Sequence, residues 1–168
     1  MKLEFISGLI GIALSTSLYA NPFIGAGIGN SEYDFDNSEE PNSFEIYGGA
    51  KIDKHFAIEG GYIDFGEAEH KDFSSISVDA SSFGGALRAI FPVADTVELY
   101  ARIGIHAWDA ESEVLGRSDD NDGTDLFYGI GGNLYLVDNL GLGLRYTKYD
   151  LDDLEVEVIG LNLEFYLQ

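Results

Sequence analysis

The sequence predicts an all-β protein: an eight-stranded antiparallel up-and-down transmembrane barrel that follows an N-terminal signal peptide. One of the two longest alternating segments, residues 97–108, has one side without a polar atom and one mixed side. Alternate side chains of a strand point to opposite faces, and a membrane-crossing strand needs about 9–11 residues. Seven further segments alternate in the same way, and short and long connections follow one another strictly. All short turns therefore fall at one end of the barrel.

Eight strands and four long polar loops account for the chain after residue 20. The strands are predicted at residues 21–31, 44–52, 56–63, 81–91, 97–108, 126–137, 140–149 and 158–168. The long loops are predicted at residues 32–42, 64–79, 109–125 and 150–157. Outer-membrane barrels combine short periplasmic turns with longer outer loops. We therefore expect the long loops on the extracellular side.

Residues 1–20 form a separate predicted segment, a secretory signal peptide, so that residues 21–168 make up the barrel domain. Lys2 gives a positive start, residues 5–18 are largely apolar, and Ala20 ends a site suited to cleavage. A membrane-anchoring helix would need about 20 apolar residues, which this segment lacks.

The composition narrows the classes of function. The chain of 168 residues has no Cys, which excludes disulfides, thiolate metal sites and a cysteine nucleophile. Its formal net charge of −21 makes nucleic acid an unsuitable partner. The four predicted loops contain 22 of the 30 acids. We expect one monomeric domain with strongly acidic loops.

The mixed face of the strands is predicted to line the bore, and the apolar face to meet lipid. A soluble lipocalin-like barrel is the alternative, and it would show the mixed face to water. A soluble surface carries roughly a quarter to a third charged residues. The mixed face is instead dominated by Gly, Tyr and Ala, with about one charge per strand. Eight strands leave a bore just wide enough for side chains to fill.

Four acids and four bases of the strands share this mixed face. They are Glu45, Lys51, Glu59, Arg88, Glu98, Arg102, Arg145 and Glu164. Buried charges must be paired, and equal numbers of each sign can pair. We therefore predict an ion network in the bore. A narrow ion or solute pore is the alternative interpretation of the same residues.

The chain from residue 21 to 168 resembles the OmpA-like transmembrane domain and other small eight-stranded outer-membrane barrels. The resemblance rests on the Gly-rich residues 23–29, on Glu59-Gly60-Gly61-Tyr62, on residues 141–146 and on the alternation up to Phe165. It implies a place in the outer membrane of a Gram-negative bacterium, with a structural or surface-interaction role and no cofactor. It also implies contact with outer-membrane lipid, lipopolysaccharide and the barrel-assembly machinery. Relatives end on an aromatic residue, whereas Leu167 and Gln168 follow Tyr166 here.

The resemblance also raises an enzymatic alternative, because some eight-stranded outer-membrane barrels modify lipid A. His106 shares a face with Glu98 and Arg102, but no Ser lies one or two residues away in the sequence. His55 falls in a turn and His70 in a predicted loop. A hydrolase needs a nucleophile, a base and an orienting group in contact. The sequence therefore predicts no catalytic residue and no enzyme.

The loop at residues 109–125 holds a weak candidate site for a divalent cation. Its candidate ligands are Asp119, Asp120, Asp122 and Asp125. With Gly123 at position 6, an EF-hand loop would need an acid at the place of Gly129. The EF-hand pattern therefore fails. A weak site of another kind and a solvated acidic loop both remain open.

Overall fold

The computed structural model describes residues 21–34, 40–70, 73–114, 117–152 and 154–167. The predicted signal segment and Gln168 lie outside the described residues. Among the described residues, no helix is long and apolar enough to span a membrane. The strands are β1 (Asn21–Tyr33), β2 (Asn42–Lys51), β3 (Phe56–His70), β4 (Phe73–Ala94), β5 (Val97–Val114), β6 (Arg117–Val137), β7 (Leu140–Leu151) and β8 (Leu154–Tyr166).

The eight strands form one closed barrel in which each strand pairs antiparallel with its sequence neighbours. Closure is made by β1 and β8, whose pairing runs from Phe23 opposite Tyr166 to Tyr33 opposite Val156. Closing the sheet removes the unpaired edges that an open sheet would expose to lipid. The predicted eight-stranded antiparallel up-and-down barrel is confirmed.

The alternation of the strands separates an apolar outer face from a polar and aromatic bore. Ile130 is 63% exposed on the outer face, whereas the guanidinium of Arg88 lies wholly inside. Exposed aromatic side chains lie near both ends of the outer apolar belt. They are Phe56, Phe91 and Phe165 toward the short turns, and Phe44 toward the long hairpins.

The strands at the long-hairpin end run much further than the sequence predicts. Residues 64–70, 73–79, 109–114 and 117–125 are strand rather than loop, and the pairing of β4 with β5 continues to Ile76 opposite Val114. The prediction of long loops at 64–79 and 109–125 was therefore wrong. The predicted loop at 150–157 is likewise mostly strand, because β7 runs to Leu151 and β8 begins at Leu154. Polar outward side chains suggested loops, but a strand that stands in water also carries polar side chains on its wet face.

A β-bulge explains why the upper part of β3 does not show a simple alternation. Gly66 has a φ of +77°, and the register with β4 shifts between Asp64 and Gly66. The extra residue changes the parity, so that Phe65 and Ala68 both point inward although they lie three residues apart. A period of two breaks at this point, and the sequence pattern resembles an irregular loop.

Close contact between strands makes Gly49 and its neighbour Gly48 very different positions. A Cβ at Gly49 would lie 2.1 Å from the Ile58 carbonyl oxygen and 2.7 Å from Cζ of Phe23. At Gly48 the nearest atom would be the Phe23 carbonyl oxygen, 3.4 Å away, which is an ordinary contact.

Gly49→Ala is therefore expected to destabilise the barrel by about 1–3 kcal/mol, because the backbone of β3 must move. Gly48→Ala, the matched control, is expected to stay within about 0.5 kcal/mol of the unsubstituted protein. Urea unfolding of both variants in lipid vesicles measures the difference. Equal losses of stability in the two variants would contradict the close contact of Gly49 with the Ile58 carbonyl and the Phe23 ring.

Candidate functional site

The middle of the bore contains the charged side chains that the mixed face of the strands supplies, which we call the ion layer. Its members are Glu45, Glu59, Arg88, Arg102, Arg145 and Glu164. Arg88 lies at its centre: Nη1 donates to both carboxylate oxygens of Glu164, at 2.9 and 3.1 Å, and Nη2 donates to Glu59. One guanidinium, on β4, thus connects a carboxylate of the neighbouring strand β3 with one of β8, the strand opposite β4 in the barrel.

The two other arginines of the ion layer also bridge different strands. Arg102 Nη1 donates to Glu59 Oε1 at 2.7 Å, and its Nη2 donates to Thr147 Oγ1 at 2.7 Å. Arg145 Nη1 donates to Glu45 Oε1 at 3.0 Å. Buried ion pairs overcome their desolvation only when hydrogen bonds satisfy the charges from several sides. The layer therefore holds the strands in one register.

Aromatic rings complete the packing around the guanidinium groups. The Arg88 guanidinium carbon lies 4.4 Å from the centre of the Tyr100 ring, and that of Arg145 lies 4.2 Å from the Tyr47 ring. Cations over aromatic faces gain electrostatic energy, most strongly where water is excluded. The rings consequently seal the space between the charges as well as stabilising them.

Lys51 and Glu98, the remaining two charges of the predicted network, form a separate pair toward the short turns. Lys51 Nζ lies 2.9 Å from Glu98 Oε2 and donates to the Tyr135 hydroxyl at 3.0 Å. Tyr135 in turn donates to Glu98. The Lys51 side chain keeps 18% of its surface exposed. The eight predicted residues thus form two groups of ion pairs in the bore, the ion layer and the Lys51–Glu98 pair, rather than one network.

An apolar cluster, here called the cap, fills the bore at the long-hairpin end. Its buried members are Tyr33, Ile63, Phe65, Ala68, Ala80, Trp108, Phe127, Tyr149, Leu151, Val156 and Val158. Five of them fall in predicted loops, namely Tyr33, Phe65, Ala68, Leu151 and Val156, and Ala80 falls between a predicted loop and the next predicted strand. The cap was therefore not predicted from the sequence. One signal was present, because Leu151 lies two residues after Tyr149 and continues its inward-facing alternation.

The voids left in this interior are small. Two internal cavities of about 30 Å³ and about 10 Å³ lie beside Arg102 and Tyr149. A single water molecule needs about 10–15 Å³ of such volume, and a drug-sized ligand needs several hundred. Among the described residues, these cavities can therefore hold isolated water molecules but not a solute or a lipid chain.

Ser82 and His106 form a contact that sequence spacing did not reveal. Ser82 Oγ lies 2.7 Å from His106 Nδ1, and His106 Nε2 lies 2.9 Å from the carbonyl oxygen of Asp150. The carbonyl can only accept, so Nε2 carries a proton, and in the neutral ring Nδ1 accepts from the hydroxyl. The register of β4 with β5 sets Gly84 opposite His106 and brings Ser82 beside the ring.

Above the apolar belt, four strands continue as an extension that we call the projecting sheet. It consists of residues 64–70 of β3, 73–81 of β4, 109–114 of β5 and 117–125 of β6. Its outer face carries two rows of acids in direct cross-strand register. The lower row is Asp64, Ser81, Asp109 and Asp122, and the upper row is Glu67, Asp79, Glu111 and Asp120. All seven acids are exposed. Like charges directly opposite one another destabilise a sheet.

The two acid rows affect the titration of their own members. Loss of part of its hydration in the sheet, followed by the neighbouring charges of Asp64 and Glu67, raises the pKa of Asp79 above its ordinary value. An acid whose pKa is higher in the folded state binds its proton more tightly there. The folded state is therefore penalised above the raised pKa, and the penalty is lost as the pH falls below it.

We expect amide hydrogen exchange in residues 73–81 to slow, after correction for intrinsic chemistry, as the pH falls from neutral to about 4. At neutral pH, Asp79→Asn is expected to slow the same amides, because it removes the repelling charge. Asp138→Asn, at an exposed short turn, serves as the control. Faster exchange in Asp79→Asn would contradict the repulsion between the rows.

The projecting sheet does not gather the candidate cation ligands Asp119, Asp120, Asp122 and Asp125 at one point. They lie along β6, where Asp120 and Asp122 face outward and Asp119 and Asp125 belong to the opposite parity. Asp125 instead accepts hydrogen bonds from Trp108 Nε1 at 2.7 Å and from the Asp152 amide at 3.1 Å. Among the described residues, no three acids or histidines are placed to hold a metal ion. The strand conformation therefore corrects the predicted cluster.

Comparison with known proteins gives one family. The family described as outer membrane protein beta-barrel domain matches residues 7–166. A comparison with curated protein sequences gives no match.

Several solved structures share the fold at low sequence identity. Ail of Yersinia pestis is similar with a TM-score of 0.65 and 19% identity, covering 89% of this chain and 100% of Ail. Neisserial surface protein A has a TM-score of 0.70 and 14% identity, with 87% and 97% of the two chains covered. The N-terminal barrel domain of Pseudomonas aeruginosa OprF has a TM-score of 0.65 and 13% identity, covering 88% and 99%.

Proposed function

The chain belongs to the outer membrane protein beta-barrel domain family, and from this premise we propose that it is a sealed barrel that displays an acidic sheet for interactions at the cell surface. It is a protein of the cell outer membrane. The apolar belt would contact outer-membrane lipid, and the barrel-assembly machinery would insert it. The projecting sheet would stand at the level of the lipopolysaccharide head groups and beyond.

The wholly buried Arg88 is the observation that carries this proposal. Its guanidinium is held between Glu59 and Glu164 in the middle of the bore. The apolar cap covers the ion layer toward the long hairpins, and the aromatic cluster of Phe23, Tyr47, Tyr100 and Tyr166 covers it toward the short turns. A conducting path would need a continuous file of water, which the cavities of about 30 and 10 Å³ do not provide. The arrangement therefore supports a structural or binding role over transport.

Planar-bilayer recording tests the sealed bore. The purified, folded protein is expected to give no stepwise conductance above the bare bilayer. A variant that opens the layer, Arg88→Ala with Tyr100→Ala, provides the positive comparison if it remains folded by heat-modifiable migration. Regular single-channel steps from the unsubstituted protein would instead favour the narrow-pore alternative.

The orientation can be tested because the chain has no native Cys. Thr124 lies exposed on β6 in the projecting sheet, and Thr96 lies exposed in a short turn. We expect Thr124→Cys to react with a membrane-impermeant maleimide on intact cells, and Thr96→Cys to react only after the outer membrane is permeabilised. The opposite labelling pattern would reverse the proposed orientation.

The sign of the charge favours cationic partners at this surface. Ail has been crystallised with the heparin analogue sucrose octasulfate, a polyanion. Seven acids in two rows would repel such a ligand, because interactions between exposed charges of one sign are unfavourable within the Debye length. We therefore propose that this chain, despite the shared fold, selects partners of the opposite charge.

The Ser82–His106 contact is the observation that favours a second function, hydrolysis. The hydroxyl, the imidazole and the Asp150 carbonyl are arranged as nucleophile, base and orienting group. Both side chains are buried, however, and the adjoining cavity of about 30 Å³ cannot hold an ester substrate. We propose that the pair is structural, so Ser82→Ala should leave the lipid A mass spectrum of expressing cells unchanged. A change in that spectrum would support the enzyme.

A further inference from the structure

The projecting sheet ends on one side at a strand that has no partner in the described part of the chain. Pairing between β6 and β7 begins at Phe127 opposite Tyr149. Pairing between β5 and β6 continues on the other side up to Val114 opposite Arg117. Within the described residues, 119–124 of β6 are therefore hydrogen-bonded to β5 along one edge only, and we call their other side the β6 edge.

The other outer strand of the projecting sheet is β3, and it differs from β6 because it carries a β-bulge. Pairing of β2 with β3 stops at Phe44 opposite Asp64, so within the described residues the ladder does not continue beyond this point, although Gly66 still lies against the Asn42 carbonyl. The upper part of β3 carries the bulge at Gly66, whose positive φ bends the strand. Bulges protect strand edges against pairing. In β6 the register with β5 runs without a shift from residue 117 to 134.

A straight strand edge offers a row of backbone donors and acceptors to an extended chain. Asp120 and Asp122 point to the outer face along this edge, and Asp109 and Glu111 lie directly beside them on β5. Same-face residues of a strand repeat at about 6.8 Å, and cross-strand neighbours lie about 4.5–5.5 Å apart. A paired chain with a base at every second position could set two of its bases beside Asp120 and Asp122.

Two other occupants fit less well. A single metal ion needs ligands that converge, and within the described residues no three acids or histidines do so. A second copy of the chain, paired edge to edge, would bring the acids of one β6 against those of the other. Like charges in facing strands repel. Charge complementarity therefore selects a basic partner.

We propose that the β6 edge binds an extended basic segment of another protein by adding it as a fifth strand to the projecting sheet. The backbone of residues 119–124 would supply the hydrogen bonds. The outward carboxylates of Asp120 and Asp122, with Asp109 and Glu111 behind them, would select Lys or Arg at alternate positions. This inference rests on the proposed surface role and specifies the class of partner.

The test uses the full folded protein in nanodiscs of a zwitterionic phosphatidylcholine, so that the lipid itself does not attract the probe. The probe is a fluorescent peptide of about eight residues, the length of a short strand, that alternates Lys and Val. A second peptide carries N-methyl groups on two adjacent central amides. It keeps the charge but loses one donor on each of its edges. Fluorescence anisotropy gives both affinities, at about 0.15 M salt.

The unmodified peptide is expected to bind at least about tenfold more tightly than the N-methylated one, because only the former can complete the ladder. Amide hydrogen exchange should show new protection within residues 119–124 and none at the short turns. Asp120→Asn with Asp122→Asn is expected to weaken binding about tenfold. The matched control, Asp95→Asn with Asp138→Asn, changes two exposed acids at the other end of the barrel and should leave binding unchanged.

Equal affinity of the two peptides would overturn strand addition and leave only charge attraction. Absence of binding, or protection outside β6, would also overturn the proposal. Concentration-dependent dimers protected at residues 119–124 would identify a second copy as the occupant instead. Bilayer recording and cysteine labelling test the sealed bore and the orientation without any peptide. The proposed function can therefore stand while this inference fails.

Discussion

Arg88→Met is expected to destabilise the folded barrel by about 3–5 kcal/mol. The substitution keeps an unbranched side chain of similar length but removes the charge between Glu59 and Glu164. Both carboxylates stay in the bore, where the Glu164 side chain has no solvent exposure. Glu59 keeps Arg102 as a partner at 2.7 Å, whereas Glu164 is left with neutral donors from Tyr47, Asn133 and Tyr166.

The loss should be measured by urea unfolding in lipid vesicles, followed through the fluorescence of Trp108, the only Trp in the chain. Lys54→Met removes a positive charge from an exposed short turn and is the matched control. It is expected to change the free energy of unfolding by less than about 0.5 kcal/mol. A similar change in both variants would contradict the expectation that removing a buried, paired positive charge destabilises the barrel more than removing an exposed one.

The double variant Arg88→Met with Glu164→Gln tests whether the pair acts as a unit. Removing both charges leaves no unpaired carboxylate on β8, so the double loss should be smaller than the sum of the two single losses by about 0.5–3 kcal/mol. Strict additivity would contradict the direct coupling of the two residues.

Ile103→Arg is the second substitution with a large expected effect. Ile103 lies on the outer face near the middle of β5 and is 57% exposed. A basic side chain at the middle of the lipid belt of a barrel costs about 2–4 kcal/mol, because the guanidinium must reach the interface or draw water inward. Reversible unfolding in vesicles should show a loss of this size.

Val93→Arg provides the control for depth. Val93 is 63% exposed on the turn side of β4, close to the end of the apolar belt. At the membrane interface the same substitution should cost only about 0–1 kcal/mol. A larger loss at Val93 than at Ile103 would contradict the place assigned to the belt.

The strands and their two faces could be predicted from the sequence because they depend on a local period of two. In segments such as residues 97–108, every second side chain is apolar, and no tertiary information is needed to separate the two sets. The balance of four acids and four bases on the mixed face then identified the side that turns inward. Neither argument requires knowledge of which strands pair or in which register they do so.

The contacts inside the bore depend on register, which the period of two does not specify. Arg88 and Glu164 are 76 residues apart, and Ser82 and His106 are 24 apart. Only barrel closure and the stagger of the strands decide which side chains meet across the interior. The sequence therefore indicated a set of charges, and the tertiary structure chose the partners and divided the set into an ion layer and the separate Lys51–Glu98 pair.

The projecting sheet, like the contacts in the bore, could not be predicted from the sequence. Its acids are visible in the sequence as charged runs, which are typical of loops, and the Gly66 bulge hides the alternation of β3. The cross-strand hydrogen bonds of β3 to β6 make these runs into strands, and the register aligns Glu67, Asp79, Glu111 and Asp120 in one row. Sequence by itself determined the fold class, the lipid-facing side and the acidity of one end. Tertiary structure alone decided the ion pairs and the acid rows, because both require residues that are distant in the chain to meet in one specific register. It also decided the β6 edge, because within the described residues the pairing of β6 with β7 begins only at Phe127.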